Sequence, residues 1–368
     1  MHRVLSLVVG GLALALAACA PAAPPAAAPT AAAKPAAPAA APAAPTTAPQ
    51  PVARAEPPPR TTVRIGWRSA AVSDGAILLA LERGYLDEQG IDLDFVSLPS
   101  TPAMMAPLSQ NQIEVATGGI NAALWNAVAN DVSIKVVADK GSMTAPYQAF
   151  LVRTDLADQI RDWSDLRGRK VAVNATGSAD HLNFLKALAR GGLTEDDAEM
   201  VILPWPDHGQ AFSNRAIDVG ISVEPVQTRF TAQGIAVKWH GLDELSPNQQ
   251  TAAIYYGPAF AASDAATRFM IAYVRGARDY NDAFVKGINR EDAIAVFMKH
   301  VAGVDRPLYD QMSMPGLNPN GRVNRASIEE DLAGYLASGQ VKQPVDVARV
   351  VDDSFADAAV RALGGEYK

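Results

Sequence analysis

Two short glycine segments are the first residues in this chain that could hold a ligand. Gly118-Gly119 follows an apolar run that reads as a strand and precedes a run that reads as a helix. Glycine lets backbone N–H groups approach a ligand closely, and a helix N-terminus carries partial positive charge. Asn121, just beyond, adds an amide that both donates and accepts. Gly177-Ser178 repeats the arrangement further along, where Ser178 could equally be a plain N-cap. Asp180, in the first turn of that helix, would repel a full anion. A flat ligand needs flat walls, which Trp67, Trp125 and Tyr147 could supply. Trp67 ends a strand, so its ring is expected to face a cleft; Trp125 could equally be core. Glu224, at another strand end, could accept from a ligand amino or ring N–H, or could cap a helix. Arg68 is the available cation if the ligand is an acid.

Catalytic signatures are missing. The chain holds no G-x-S-x-G, H-E-x-x-H, phosphate-cradling P-loop or G-x-G-x-x-G, and His181, His208, His240 and His300 are scattered. No catalytic residue, metal site or cofactor is expected. Cys19 is the only cysteine, which excludes disulfides within the chain and cysteine-based zinc sites. Its setting suggests another use. Arg3 precedes an apolar run from Leu5 to Leu16, and Leu16-Ala17-Ala18-Cys19 closes it. Charge, apolar core and small-residue cleavage site are the layout of a secretory signal, here too short to span a membrane comfortably. The Leu-Ala-Ala-Cys ending resembles the bacterial lipobox, which implies cleavage after residue 18 and lipidation of Cys19. Ala20 lacks the aspartate that resembles an inner-membrane retention signal, so the membrane of residence stays open.

Residues 20–60 are almost all Ala and Pro. They lack the large apolar side chains that offset ordering entropy. As polyproline II at about 3.1 Å per residue, this tether would reach on the order of 125 Å. Four of the 32 basic and one of the 39 acidic residues precede residue 61, leaving the remainder a formal charge of −10. Such a body repels nucleic acid and anionic lipid, so neither is an expected partner.

The elements that must position the candidate residues alternate. Strands are expected at Thr62 to Trp67, Ile91 to Leu98, Ile113 to Thr117 and Ser133 to Ala138, with helices at Asp74 to Gln89, Thr101 to Asn111 and Asn121 to Asn130. A second set follows: strands Lys170 to Asn174, Glu199 to Leu203, Ile217 to Val223 and Ile235 to Trp239, with helices Ser178 to Arg190, Gln210 to Asn214 and Pro225 to Gln233. Gln250 to Tyr256 is extended. The rest is helical: Ala265 to Phe284, Arg290 to His300, Ser327 to Ala337 and Val345 to Leu363. The order argues for an α/β fold with parallel strands, in two lobes with a cleft between them and a helical C-terminal part. Ligands of open α/β sheets bind beyond the carboxyl ends of strands. That singles out the loops Trp67 to Asp74, Thr117 to Asn121, Asn174 to Ser178 and Val223 to Pro225.

Several segments together resemble one family. Glu82-Arg83-Gly84-Tyr85-Leu86-Asp87-Glu88-Gln89-Gly90-Ile91-Asp92-Leu93 resembles a "G-Y-F, then G-L-D-V" signature, and Ile113 to Gly119 a "D-V-A" plus glycine segment. Asp165 to Val173 resembles "D-L-K-G-K-K-V-G-V". Ala216-Ile217-Asp218-Val219-Gly220, then Val223-Glu224-Pro225, resembles "G-x-x-D-A" leading to an acid and a proline. In this order they resemble the solute-binding proteins of ABC importers that serve alkanesulfonates, taurine, nitrate and thiamine-pyrimidine precursors. Val223 stands where an aromatic is often found, and Glu114 replaces an aspartate. The resemblance implies a two-lobed periplasmic-binding-protein fold with an interlobe ligand cleft. It implies a non-enzyme acting as a monomer, with a small-molecule solute, an ABC permease and its ATPase as partners and the membrane reached through the lipid.

The expected organisation is a signal peptide over 1–18 and lipidated Cys19 with its tether over 19–60. Lobe 1 is expected over 61–153 and 250–368, and lobe 2 over 154–249. The expected ligand residues are Trp67, Arg68, Gly118, Gly119, Asn121, Tyr147, Gly177, Ser178 and Glu224. The expected solute is a thiamine-pyrimidine-like or flavin-like heterocycle. A sulfonate, a sensing lipoprotein and a pyrimidine-precursor synthase-like enzyme are the alternatives.

Overall fold

The computed structural model describes residues 58–68 and 71–368. The expected leader, Cys19 and the tether as far as residue 57 lie outside the described residues. The fold itself takes hold by Arg60, whose guanidinium donates to Asp92 Oδ2 at 2.9 Å and to Asp87 Oδ1 at 2.9 Å. The expected tether therefore ends a little before residue 60.

Among the described residues, ten strands form two sheets: β1 (Thr61–Trp67), β2 (Ile91–Ser97), β3 (Val115–Gly119), β4 (Lys135–Ser142), β5 (Gln148–Arg153), β6 (Lys170–Val173), β7 (Glu199–Ile202), β8 (Val219–Val223), β9 (Ala236–Gly241) and β10 (Gln250–Tyr256). The first sheet runs β2-β1-β3-β10-β4 and the second β7-β6-β8-β5-β9. β1 is parallel to β2 and β3, and β6 is parallel to β7 and β8. β10 is antiparallel to β3 and β4, and β5 to β8 and β9. The exceptions share one cause. β5 and β10 are the strands by which the chain enters one lobe from the other. They start at the cleft and run away from it, whereas their neighbours end there.

β5 corrects the expected boundary at residue 153. It is central to the second sheet, so the first crossing lies between Ser142 and Gln148. Every residue from Gln148 to Val152 is buried, which removes the alternation that marks a half-exposed strand. Two expected helices are also broken. Gly84, with φ +73°, separates Gly75–Glu82 from Tyr85–Glu88. Val351 bridges to Val136 of β4 and so separates Val347–Val350 from Ser354–Ala362.

The 21-residue helix Asp264–Phe284 buries Ala265, Phe269, Ala272, Gly276 and Ala283 along one stripe and packs against Gly75–Glu82. A Cβ on Gly276 would stand 2.1 Å from the backbone oxygen of Ala76. Helix propensity alone favours alanine there by about 1 kcal/mol. Backbone cannot yield as a side chain tip does, so Gly276→Ala is expected to cost about 1–3 kcal/mol net. Chemical denaturation would read this, and an unchanged midpoint would contradict such close packing.

The helix Arg325–Ala337 clasps both lobes, although the C-terminal part was expected to belong to lobe 1. Asp331 Oδ2 accepts from Gln249 Nε2 at 2.8 Å, and Asp331 Oδ1 pairs with Lys186 of the second lobe at 3.4 Å. Leu182 of the second lobe joins Ile328, Leu332 and Tyr335 in one apolar cluster. Among the described residues no helix is long and apolar enough to cross a membrane.

Candidate functional site

Two crossing segments join the lobes, and they are stitched to each other. Met143 N–H donates to Gln249 O and Asn248 N–H to Met143 O, each at 2.9 Å. Beside them, at the carboxyl ends of the parallel strands, lies a cavity of about 200 Å³. Each loop singled out by the strand-end rule contributes to its wall: Arg68 and Ala71 to Asp74 after β1, Thr117 to Asn121 at the end of β3, Asn174 to Ser178 after β6, and Val223-Glu224 at the end of β8. Tyr147 and Thr251 enter from the crossings, and their hydroxyls are hydrogen-bonded to each other.

Of the expected ligand residues, Arg68, Gly118, Gly119, Asn121, Tyr147, Gly177, Ser178 and Glu224 line this cavity, and Trp67 does not. Trp67 shares the strand face of buried Val63 and Ile65, because residues two apart point the same way. Its ring stacks on Phe95 of β2 with centroids 4.0 Å apart. Trp125 is buried in the core on the other side of the sheet.

Contact with the wall is not the same as freedom to bind. Gly119 N–H donates to Thr101 Oγ1 at 3.2 Å, and a Cβ on Gly118 would stand 2.2 Å from that oxygen. These glycines admit Thr101 as much as any ligand. Asn121 Oδ1 caps the helix Ala122–Ala129 by accepting from Leu124 N–H at 3.0 Å, and Ser178 Oγ caps Ala179–Arg190 by accepting from His181 N–H at 3.2 Å. Ala122 N–H crosses the cleft to Gly177 O at 2.9 Å. Glu224 is a cap too. Its Oε1 accepts from Thr228 Oγ1 at 2.7 Å and Gln227 Nε2 at 2.6 Å, its Oε2 from Thr228 N–H at 3.3 Å. Burial pushes its carboxyl up, against those hydrogen bonds.

The remaining charges divide by lobe. Lys140 pairs with Asp74 at 2.9 Å and donates to Ser73 Oγ at 2.9 Å, all in the first lobe. In the second, Asp180 is 1% exposed and accepts from Trp205 Nε1 at 2.7 Å. Burial pushes its carboxyl up to about 7. Arg68 reaches over from the first lobe, its guanidinium 5.1 Å from the centroid of the Trp205 ring. Trp205 follows β7, and Ser100 to Pro102 follow β2; applying the strand-end rule to those two strands would have found both wall segments. Gln148, Lys140 and Thr251 carried no such signal, because only the crossings bring them here.

Among the described residues no group of His, Cys, Asp and Glu is arranged to hold a metal ion. Ser222 and His208 stand 2.9 Å apart, Oγ to Nδ1, but both are fully buried and neither lines the cavity. Burial lowers the His208 pKa to about 4.

Two α/β lobes, two crossings and a cavity at the strand tips define the fold of periplasmic binding proteins. The chain belongs to the family described as NMT1/THI5 like, whose model matches residues 74–282. Among solved structures it is similar to the alkanesulfonate-binding protein SsuA of Xanthomonas axonopodis pv. citri bound to MOPS, at 18% identity and TM-score 0.65, covering 80% of this chain and 99% of that one. It is similar to the periplasmic aliphatic sulphonate binding protein SsuA of Escherichia coli, at 22% identity and TM-score 0.64, covering 78% and 91%. The periplasmic nitrate-binding protein NrtA of Synechocystis PCC 6803 matches at 16% identity and TM-score 0.65, covering 83% and 89%. No curated protein sequence matches the chain significantly.

Proposed function

We propose that this protein is an extracytoplasmic solute-binding lipoprotein that captures a small organic molecule between its lobes and delivers it to an ABC permease. The observation that carries the reading is the cavity at the strand tips, walled by both lobes and flanked by their two crossings. Contacts from both sides make affinity greatest in the closed form, so solute shifts the population toward closure. At about 200 Å³ the cavity lies below the roughly 300–1,000 Å³ usual for drug-sized ligands. That favours a single-ring heterocycle of the pyrimidine kind over a flavin. The sulfonate reading is the second. Its support is the fold shared with sulfonate-binding proteins and Arg68 at the wall.

Native mass spectrometry of freshly purified protein, with a thermal-shift panel of pyrimidines, flavins, alkanesulfonates and nitrate, separates these. A bound solute at a hundredfold excess over Kd adds about 2.7 kcal/mol of stability, an upward shift of several degrees. Pyrimidines are expected to give it. Stabilisation by sulfonates alone would overturn the heterocycle reading, and turnover of a bound compound would overturn the non-enzyme reading.

Cys19 supplies the proposed address. Lipidated, and followed by the Ala/Pro tether, it would hold the body near its permease while leaving it free to move. Cys19→Ser is expected to release the protein from membranes with unchanged solute affinity. Membrane fractionation checks this; full retention would remove the lipid anchor from the account.

A further inference from the structure

The second-lobe wall carries acceptors where an anion would need donors. Asp180 is buried in the wall and held by the indole N–H of Trp205 at 2.7 Å. Gln148 is 5% exposed and lines the cavity, and its Oε1 has no hydrogen-bond partner. Asn174 Oδ1, on the same wall, is buried and also without one. Several donors at the wall are engaged elsewhere, and Arg68 is left as the cation an anion could meet. Ala122, Leu124 and His181 spend their N–H groups on Gly177 O, Asn121 and Ser178, and Lys140 is held by Asp74.

Resting on the solute-binding reading, we propose that Asp180 and Trp205 form a recognition pair selecting a flat organic cation, with Gln148 and Asn174 accepting its N–H groups. The Trp205 ring offers a face to the cation and its indole N–H fixes the carboxylate beside it. Arg68 already sits over that face from the opposite lobe. The pair thus accommodates a positive charge here, and a cationic solute would take the place of the guanidinium. A cation over tryptophan is held more strongly the more it is desolvated, and a buried carboxylate adds a charge-assisted hydrogen bond.

The pair also links affinity to pH. A cation binds the ionised carboxylate, and burial raises the Asp180 pKa to about 7. Binding is therefore strong above that pH and weakens below it. Arg68 faces Asp180 from the first lobe, and burial drives the Tyr147 and Tyr335 phenols upward. His181, next along the helix, accepts from Gly177 N–H at 3.1 Å, and burial lowers its pKa.

Two probes of matched shape and opposite charge test this by calorimetry on the full chain: benzamidinium, charged throughout the pH range, and benzenesulfonate. Benzamidinium is expected to bind and benzenesulfonate not. Between pH 8 and pH 6 the benzamidinium affinity is expected to fall about tenfold. Asp180→Asn is expected to weaken it at least about tenfold at pH 8 and to flatten the pH profile. Trp205→Phe, which keeps a ring but loses the indole N–H, is expected to weaken it several-fold. Binding of benzenesulfonate alone would overturn the cation selection while leaving the solute-binding reading intact. Failure of both probes and of every compound in the solute panel would overturn both. Benzamidinium binding unaffected by either substitution would remove the pair from recognition.

Discussion

Asp139→Ala is expected to lower the unfolding free energy by about 2–4 kcal/mol, the largest loss foreseen for a single polar side chain here. Asp139 lies on β4, 2% exposed, and ties three segments together. Its Oδ1 accepts from Gly141 N–H at 2.7 Å and from Gln250 Nε2 of β10 at 2.6 Å, and its Oδ2 from Asn318 N–H at 2.7 Å. Alanine would strand two donors, the Gly141 and Asn318 N–H groups, each costing about 1–3 kcal/mol when left unmade, while Gln250 Nε2 keeps Gly141 O and Ala252 O as acceptors. Water can repair part of this, because Asp139, Gln250 and Asn318 border a second, open cavity. The lower half of the summed range is therefore the expected value. Urea unfolding of the variant checks it. A loss below about 1 kcal/mol would mean that solvent replaces the carboxylate fully and that the hub is not structural.

Gly177→Val is expected to reduce solute affinity about 30- to 100-fold. Gly177 has φ +72°, and its carbonyl accepts the Ala122 N–H that bridges the cleft. A Cβ there would lie 3.0 Å from the Ala122 Cβ. A β-branched residue strains this backbone whether or not the lobes are closed. Only the collision with Ala122 belongs to closure. A closure penalty of about 2–3 kcal/mol converts to that loss of affinity, since apparent affinity scales with the closed-competent population. Calorimetry with the solute found by mass spectrometry reads the effect. Combining Gly177→Val with Ala122→Gly is expected to restore part of the affinity, because it removes the opposing methyl. No recovery would show that the loss comes from backbone strain rather than blocked closure.

Much of the site was legible because one geometric rule governs it. Parallel strands bring their carboxyl ends to the same edge, so a list of strand ends is nearly a list of site loops. Applied to β1, β3, β6 and β8, the rule led to wall segments. Left unapplied to β2 and β7, it missed Thr101 and Trp205. Trp67 shows its limit. The rule places a residue at the edge, but strand parity decides which side it faces, and parity put Trp67 against Phe95. Glu224 shows another. A carboxylate at a strand end looked available for a ligand, yet the helix that follows it supplies Gln227 and Thr228 as partners.

What the sequence by itself determined is local in origin. Apolar periodicity, glycine turns and capping residues act over a few positions, so the alternation of strands and helices, and with it the α/β class and the two-lobed plan, could be read directly. The acidic charge balance of residues 61–368 came from composition in the same way. Only the tertiary structure decided the rest. β5 joins the second sheet because β8 and β9 flank it, although both lie some way downstream in the chain. Arg325–Ala337 belongs to neither lobe alone because Asp331 meets Lys186 and Gln249 at once. Asp180, Gln148 and Trp205 share one wall only after the sheet is assembled and water is excluded from it. Their chemistry depends on which donors and charges burial leaves beside them, and no pattern along the chain encodes that.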